Sequence, residues 1–172
     1  VGQLDPSILE CSGVEYGPGE GGRYWVHSDS KRPALLYEID ENGALKKSYA
    51  LDGATNRDWE DIAMDDEGRL YIGDIGNNLL TLEDLNIYRI DLGRGEKTSI
   101  LKQAFRYPGA GGKTLGLQSH DAESLFVAGG RLFLLTKTLL ASESILYAFP
   151  EFSSWDGKEV LLLEEMDRLL LP

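Results

Sequence analysis

A pattern of acids, glycine turns and aromatic-bearing strands recurs three times along this chain. It limits the fold more tightly than any other feature. Glu10-Cys11-Ser12-Gly13, Asp58-Trp59-Glu60-Asp61-Ile62-Ala63 and Asp121-Ala122-Glu123-Ser124-Leu125 each open a segment. After a glycine-containing turn each is followed by a hydrophobic strand: Tyr24-Trp25-Val26, Leu70-Tyr71-Ile72 and Leu132-Phe133-Leu134-Leu135. A third strand then carries an aliphatic-Tyr pair, Leu36-Tyr37, Ile87-Tyr88 or Leu146-Tyr147. A repeat of roughly 40 to 60 residues built from four strands is the signature of a β-propeller blade. The spacing predicts an all-β chain with three blades of four antiparallel strands, at about residues 8–53, 58–107 and 121–166 of one unit spanning 1–172. It also puts one Glu at the start of each innermost strand, so Glu10, Glu60 and Glu123 are expected to converge on a central channel.

The turns support this division. Asn42-Gly43 between alternating strands is a strong hairpin signal, and Asp65-Asp66-Glu67-Gly68 and Gly129-Gly130 mark turns in the later repeats. Twenty glycines and few stretches of 3.6-residue period argue against a helix bundle. The residues from Glu164 to Leu171 read either as a short helix or as the last outer strand. Gly109-Ala110-Gly111-Gly112-Lys113-Thr114 lacks the glycine spacing and the strand-loop-helix context of a phosphate-binding loop. Three blades do not close, since propellers typically have four to eight and open ends leave bare faces and edges. The chain therefore reads as half of a six-bladed ring. It is a fragment of a longer polypeptide, or it is completed by a second copy or by an unrelated chain.

The formal net charge of -12 argues against nucleic acid or an anionic membrane surface as a partner, since both need a basic face. No apolar run approaches a membrane span. The single cysteine, Cys11, excludes an internal disulfide and a cysteine-based zinc cluster, and reads as a small buried residue of the opening strand. A first residue of Val1, without a start Met or a signal core, reads as a processed or trimmed product.

Glu10-x-Ser12-Gly13, Trp25 followed by Asp29-Ser30, the Asp58–Ala63 string, Tyr71-Ile72-Gly73-Asp74-Ile75-Gly76-Asn77-Asn78 and Asp121-Ala122-Glu123 resemble a group of bacterial exported β-propellers. That group in turn resembles the six-bladed calcium-dependent propellers, gluconolactonase- and paraoxonase-type hydrolases and β-propeller phytases. The resemblance implies an extracytoplasmic address, periplasmic or secreted. Two departures are plain: His27-Ser28-Asp29-Ser30 replaces an Asn-Asp-Ser-Gly-like string, and half the ring is absent.

Calcium takes six to eight oxygens at about 2.3–2.6 Å. Glu10, Glu60 and Glu123 from the strand starts, with Asp74 and Asn77 at the exit of a second strand, are the expected ligands. Without a cation the glutamates would repel one another and raise one another's pKa. An oxygen-rich set without cysteine or a histidine pair favours calcium over zinc. Competing structural roles exist: Asp58, Asp61 and Asp121 could cap turns, and Arg57, Arg106 and Lys137 could pair with the acids. His120 is the one candidate general base, while no Gly-x-Ser-x-Gly nucleophile elbow occurs. Trp25, Trp59 and Trp155 read as inter-blade packing, with sugar stacking the lesser role for Trp59. Two functions stay open: a calcium-stapled scaffold that binds a protein or glycan, and a calcium-dependent hydrolase of an ester, lactone or phosphate ester.

Overall fold

The computed structural model describes residues 2–17, 22–79, 82, 85–93, 98–108, 121–137 and 143–170. The described strands form three sheets. Blade one contains β1 (Cys11–Gly17), β2 (Arg23–Ser28), β3 (Leu35–Asp40) and β4 (Leu45–Ala50) in that spatial order, every neighbouring pair antiparallel. Blade two repeats the arrangement with β5 (Trp59–Met64), β6 (Leu70–Asp74), β7 (Leu85–Asp91) and β8 (Ser99–Arg106). Blade three begins with β9 (Asp121–Ala128), β10 (Arg131–Lys137) and β11 (Glu143–Ala148). A single 3-10 turn at Phe152–Ser154 then leads to the two-residue β12 (Leu161–Leu162) and to β13 (Glu164–Leu170), which completes blade three beside β11. β5 lies beside β1 on one flank and β9 on the other. The first strand of each sheet is therefore innermost, and the sheets follow one another as spokes. This is the blade arrangement of a β-propeller.

The pairing registers make the repeat quantitative. Val14 pairs with Val26, which pairs with Tyr37; Ile62 with Ile72 and then Tyr88; Leu125 with Leu134 and then Tyr147. In blades two and three these residues face the preceding blade, and their alternate neighbours face the following one. The following-blade face carries an aromatic at one fixed position: Trp25, Tyr71 and Phe133. Two apolar seams result. One joins blades one and two around Trp25, Leu36, Trp59 and Ile72, the other joins blades two and three around Tyr71, Ile87, Leu134 and Phe149. In the hairpin between β3 and β4, Gly43 adopts φ +84°, a region open to glycine, while Asp40 Oδ1 accepts from Asn42 N and Ala44 N.

The structure corrects the sequence reading in two places. The C-terminal residues form a strand, and it spans Glu164–Leu170, later than the spacing implied, because β12 first pairs in parallel with β8 of blade two. Nothing in the repeat pattern foretells that excursion. Cys11 is exposed, not buried. Its register partners in the other blades, Trp59 and Ala122, are buried against the preceding blade, and the described chain places no blade before blade one. The glycine-rich segment 109–114 and His120 lie outside the described residues.

Candidate functional site

Each innermost strand carries one extra residue near its start. The register shifts between Cys11 and Val14 in β1, at Glu60 in β5 and at Glu123 in β9. A bulge of this kind lifts its residue out of the ladder and re-aims the side chain. Glu60 and Glu123 are thus equivalent by backbone geometry as well as by sequence. Their counterpart in blade one is the Ser12-Gly13 pair, and the Ser12 hydroxyl donates to the Glu60 carbonyl at 2.7 Å. Glu10 instead corresponds to Asp58 and Asp121, one residue outside the strand, and has φ +50°.

Three carboxylates meet where blades one and two adjoin. One ligand oxygen from each of Asp29, Asp58 and Glu60 lies within 4.8 Å of the others, all three residues being partly buried. Asp29 follows the end of β2 and its N–H donates to the Glu10 carbonyl at 2.7 Å. Asp58 precedes β5, and its N–H donates to Asp74 Oδ1 at 2.8 Å. Its carbonyl accepts from Gly76 N at 3.1 Å. That bond draws the chain after β6 onto the cluster so closely that a Cβ at residue 76 would collide with the carboxylates of both Asp58 and Glu60. Glycine is required there by contact, not by torsion.

Crowding of like charges shows in the proton affinities. Burial, then Glu123, Asp58, Asp29 and Asp121, push the Glu60 carboxyl up to about 8. Burial and the nearby Asp29 and Asp121 also raise Asp58. Lys137 Nζ lies 2.6 Å from Glu123 Oε1. That hydrogen bond, with Glu123, Asp121 and Glu60 close by, raises the lysine. Six acids and one ammonium thus share one end of the innermost strands. Three partly buried carboxylates match the donor chemistry of a hard cation such as calcium.

The predicted ligands divide. Glu60 enters the cluster, and Glu123 stands beside it on the Lys137 ammonium. Asp74 is buried; it receives the Asp58 N–H, and Arg57 approaches it at 3.7 Å. Its raised carboxyl reflects burial first, which makes it a brace under the cluster. The Asn77 side chain clasps Leu82, Nδ2 donating to its carbonyl at 3.2 Å and Oδ1 accepting from its N–H at 3.1 Å. Its own N–H donates to Asp121 Oδ1 at 2.7 Å. The Glu10 carboxylate turns to Arg32, at 2.7 Å from Nε. Trp59 is fully buried, its ring on His27 and Tyr88, so neither face is open to a sugar.

Neither Asp29 nor Asp58 is among the ligands expected from the sequence, where Asp58 reads as a turn cap. The available signal was positional. Both flank a strand end, and each lies one residue outside the ladder at the same edge as the bulge. Asp61 behaves as a structural acid: its carboxylate accepts from Leu125 N at 2.7 Å and ties β5 to β9.

The chain matches no protein-family model and no curated protein sequence. Among solved structures it resembles virginiamycin B lyase from Staphylococcus aureus, at 15% sequence identity and a TM-score of 0.50. The match covers 95% of this chain and 42% of the lyase, so the chain spans less than half the length of that structure. The lyase is a seven-bladed β-propeller, which supports the propeller fold of this chain.

Proposed function

We propose that this chain is a calcium-binding, extracytoplasmic β-propeller that works as a binding or structural scaffold, its ring completed by further blades. The observation that carries the reading is the approach of Asp29, Asp58 and Glu60 oxygens to within 4.8 Å across the junction of blades one and two. A cation there removes the repulsion that otherwise forces a proton onto Glu60, and it ties two blades together. The extracytoplasmic address rests on the family resemblance. Calorimetric titration of EDTA-stripped protein with calcium tests this, together with melting in calcium and in EDTA. Saturable heat and a raised melting temperature are expected, and Gly76→Ala should lose both by filling the cluster. No heat and coincident melting curves would end the calcium reading.

A second reading, a calcium-dependent hydrolase of an ester, lactone or phosphate ester, is favoured by one observation. The Lys137 ammonium stands 2.6 Å from Glu123 and close to Glu60. A fixed cation there suits stabilisation of the charge that develops on a departing oxygen, while Glu60 has given up its proton as a ligand. Calcium when bound would supply polarisation of the scissile group. Aryl ester, lactone and phosphomonoester substrates, each assayed with calcium, separate the two. Turnover lost in Glu60→Gln while the fold persists would establish the enzyme; no turnover on any of them leaves the scaffold.

A further inference from the structure

Glu60 and Glu123 occupy equivalent bulges, but their surroundings differ. Beside Glu60 a third carboxylate arrives from the exit of the second strand of blade one, where Asp29 meets Asp58. The exit of the second strand of blade two brings no carboxylate to Asp121 and Glu123. It reads Ile75-Gly76-Asn77: Ile75 is fully buried in the apolar seam, and the Asn77 N–H donates to Asp121 Oδ1 at 2.7 Å. Among the described residues, Asp29, Asp58 and Glu60 are the one group of three acids close enough to share an ion.

The second junction holds a base where the first holds an acid. Lys137 ends β10 of blade three, opposite Asp121 in the ladder, and its Nζ lies 2.6 Å from Glu123 Oε1. Asp121 and Glu60 are also near enough to strengthen the hold of the ammonium on its proton. The exit of the second strand thus carries Asp29 in blade one, Ile75 in blade two and Lys137 in blade three. An acid, an apolar residue and a base stand at one station of the repeat.

We propose that Lys137 is the internal cation of the second junction and holds the axis of this chain to one divalent ion. Its ammonium does between blades two and three what calcium does between blades one and two: it sets a positive charge among carboxylates that the strand starts bring together. An ammonium is a compact charge with three donors on a flexible stem, so it serves crowded carboxylates without a set geometry and at any calcium concentration. Charge decides the stoichiometry. Against Asp29, Asp58, Glu60, Asp121 and Glu123, one calcium and one ammonium leave two negative charges. Without the ammonium three are left, and a second divalent ion is drawn in. The inference rests on the calcium reading only for the ion at the first junction; the place of Lys137 does not depend on it.

The test is the number of calcium ions bound per chain, by calorimetric titration of EDTA-stripped protein, in the native chain, Lys137→Met and Lys137→Arg. The lysine side chain is 43% exposed, so its replacement leaves the seams intact, and circular dichroism checks the fold. One ion is expected for the native protein and two for Lys137→Met, which keeps the stem and removes the charge. Lys137→Arg keeps the charge and should keep the count of one, an outcome that a role for the stem alone does not give. In EDTA, Lys137→Met should melt below the native protein, and calcium should restore it. The inference is overturned if Lys137→Met binds no more ions than the native chain, if its melting in EDTA is unchanged, or if Lys137→Arg gains an ion as well. The two readings fail separately. No ion in the native protein and one in Lys137→Met removes calcium from the first junction and keeps the role of Lys137; one ion in each keeps the calcium and removes that role.

Discussion

The two seams of this molecule are held by different physics. Between blades two and three the seam is strapped and, apart from the Leu125 N–Asp61 and Asn77 N–Asp121 bonds near the axis, apolar. Tyr71, Phe149 and Trp155 pack together with Phe152, and the chain from Phe152 to Leu163 returns across the edge of blade two. Gln103 fixes that strap with bonds to Glu159 O at 2.6 Å and from Gly157 N at 3.0 Å, and β12 adds a parallel pairing with β8. Between blades one and two the apolar cluster is smaller, and much of the seam is polar. Asn56 Nδ2 donates to the carbonyls of Ser28 at 3.0 Å and Asp29 at 2.8 Å, and Glu15 Oε2 accepts from Met64 N at 3.1 Å. The acidic cluster lies in this second kind of seam. A cation site needs oxygen atoms and access to water, both of which an aromatic strap excludes; a polar seam supplies both at the cost of leaving repulsion for the cation to relieve.

Breaking the strap gives the largest expected effect. Trp155 is buried against Tyr71, Phe149 and Phe152, and its Nε1–H donates to Pro150 O at 3.1 Å. Trp155→Ala should lower stability in urea by about 3–5 kcal/mol. Its effect on calcium affinity should be small, because the cluster lies in the other seam. A variant that instead loses calcium binding while remaining folded would show that the seams are not separate. Asn56→Ala comes next. It strands two carbonyls at the polar seam, with an expected cost of about 1–3 kcal/mol. Here calcium affinity should fall too, since Asn56 holds the carbonyl of Asp29 itself; unchanged affinity would count against Asp29 as a ligand.

The same contrast explains what could be read from the residues alone. The blade count, the hairpin at Asn42-Gly43 and the alternation of seam-facing residues follow from period-two patterning, a local property that the chain repeats three times. The aromatic position of Trp25, Tyr71 and Phe133 was visible for that reason. Placing the acids required more. Glu60 and Glu123 stand at equivalent bulges, so the repeat brings them to one place, whereas blade one carries Ser12-Gly13 at the bulge and its Glu10 falls earlier, where it meets Arg32. Asp29 reaches the cluster from the end of a different strand, and no spacing encodes that meeting. The strap was illegible for a similar reason: Leu161 and Leu162 look like any outer strand, and only the three-dimensional path shows them paired with Phe105 and Arg106 of another blade.

The smallest effect, and the one most specific to the polar seam, is the pH dependence of the cation-free protein. The Glu60 carboxyl rises from an ordinary 4.5 to about 8 in the folded chain, through burial first and then through its acidic neighbours. Between those values the folded chain holds a proton that the unfolded chain has released, so stability falls as pH rises. The contribution of Glu60 is therefore full below about 4.5 and is lost as pH climbs through about 8. Glu60→Gln keeps the shape and removes the titration. In EDTA at pH 8.5–9 it should stabilise the chain by about 1 kcal/mol after allowance for solvent at a half-exposed carboxyl, roughly 2–4 °C in Tm. The gain should shrink toward pH 5. In calcium the sign reverses, because the cation takes the place of the proton and the glutamine is the poorer ligand. Melting curves for both proteins across this range, with and without calcium, measure the crossing. Parallel curves in EDTA would show that Glu60 ionises freely, and the repulsion assigned to the polar seam would then have no carrier.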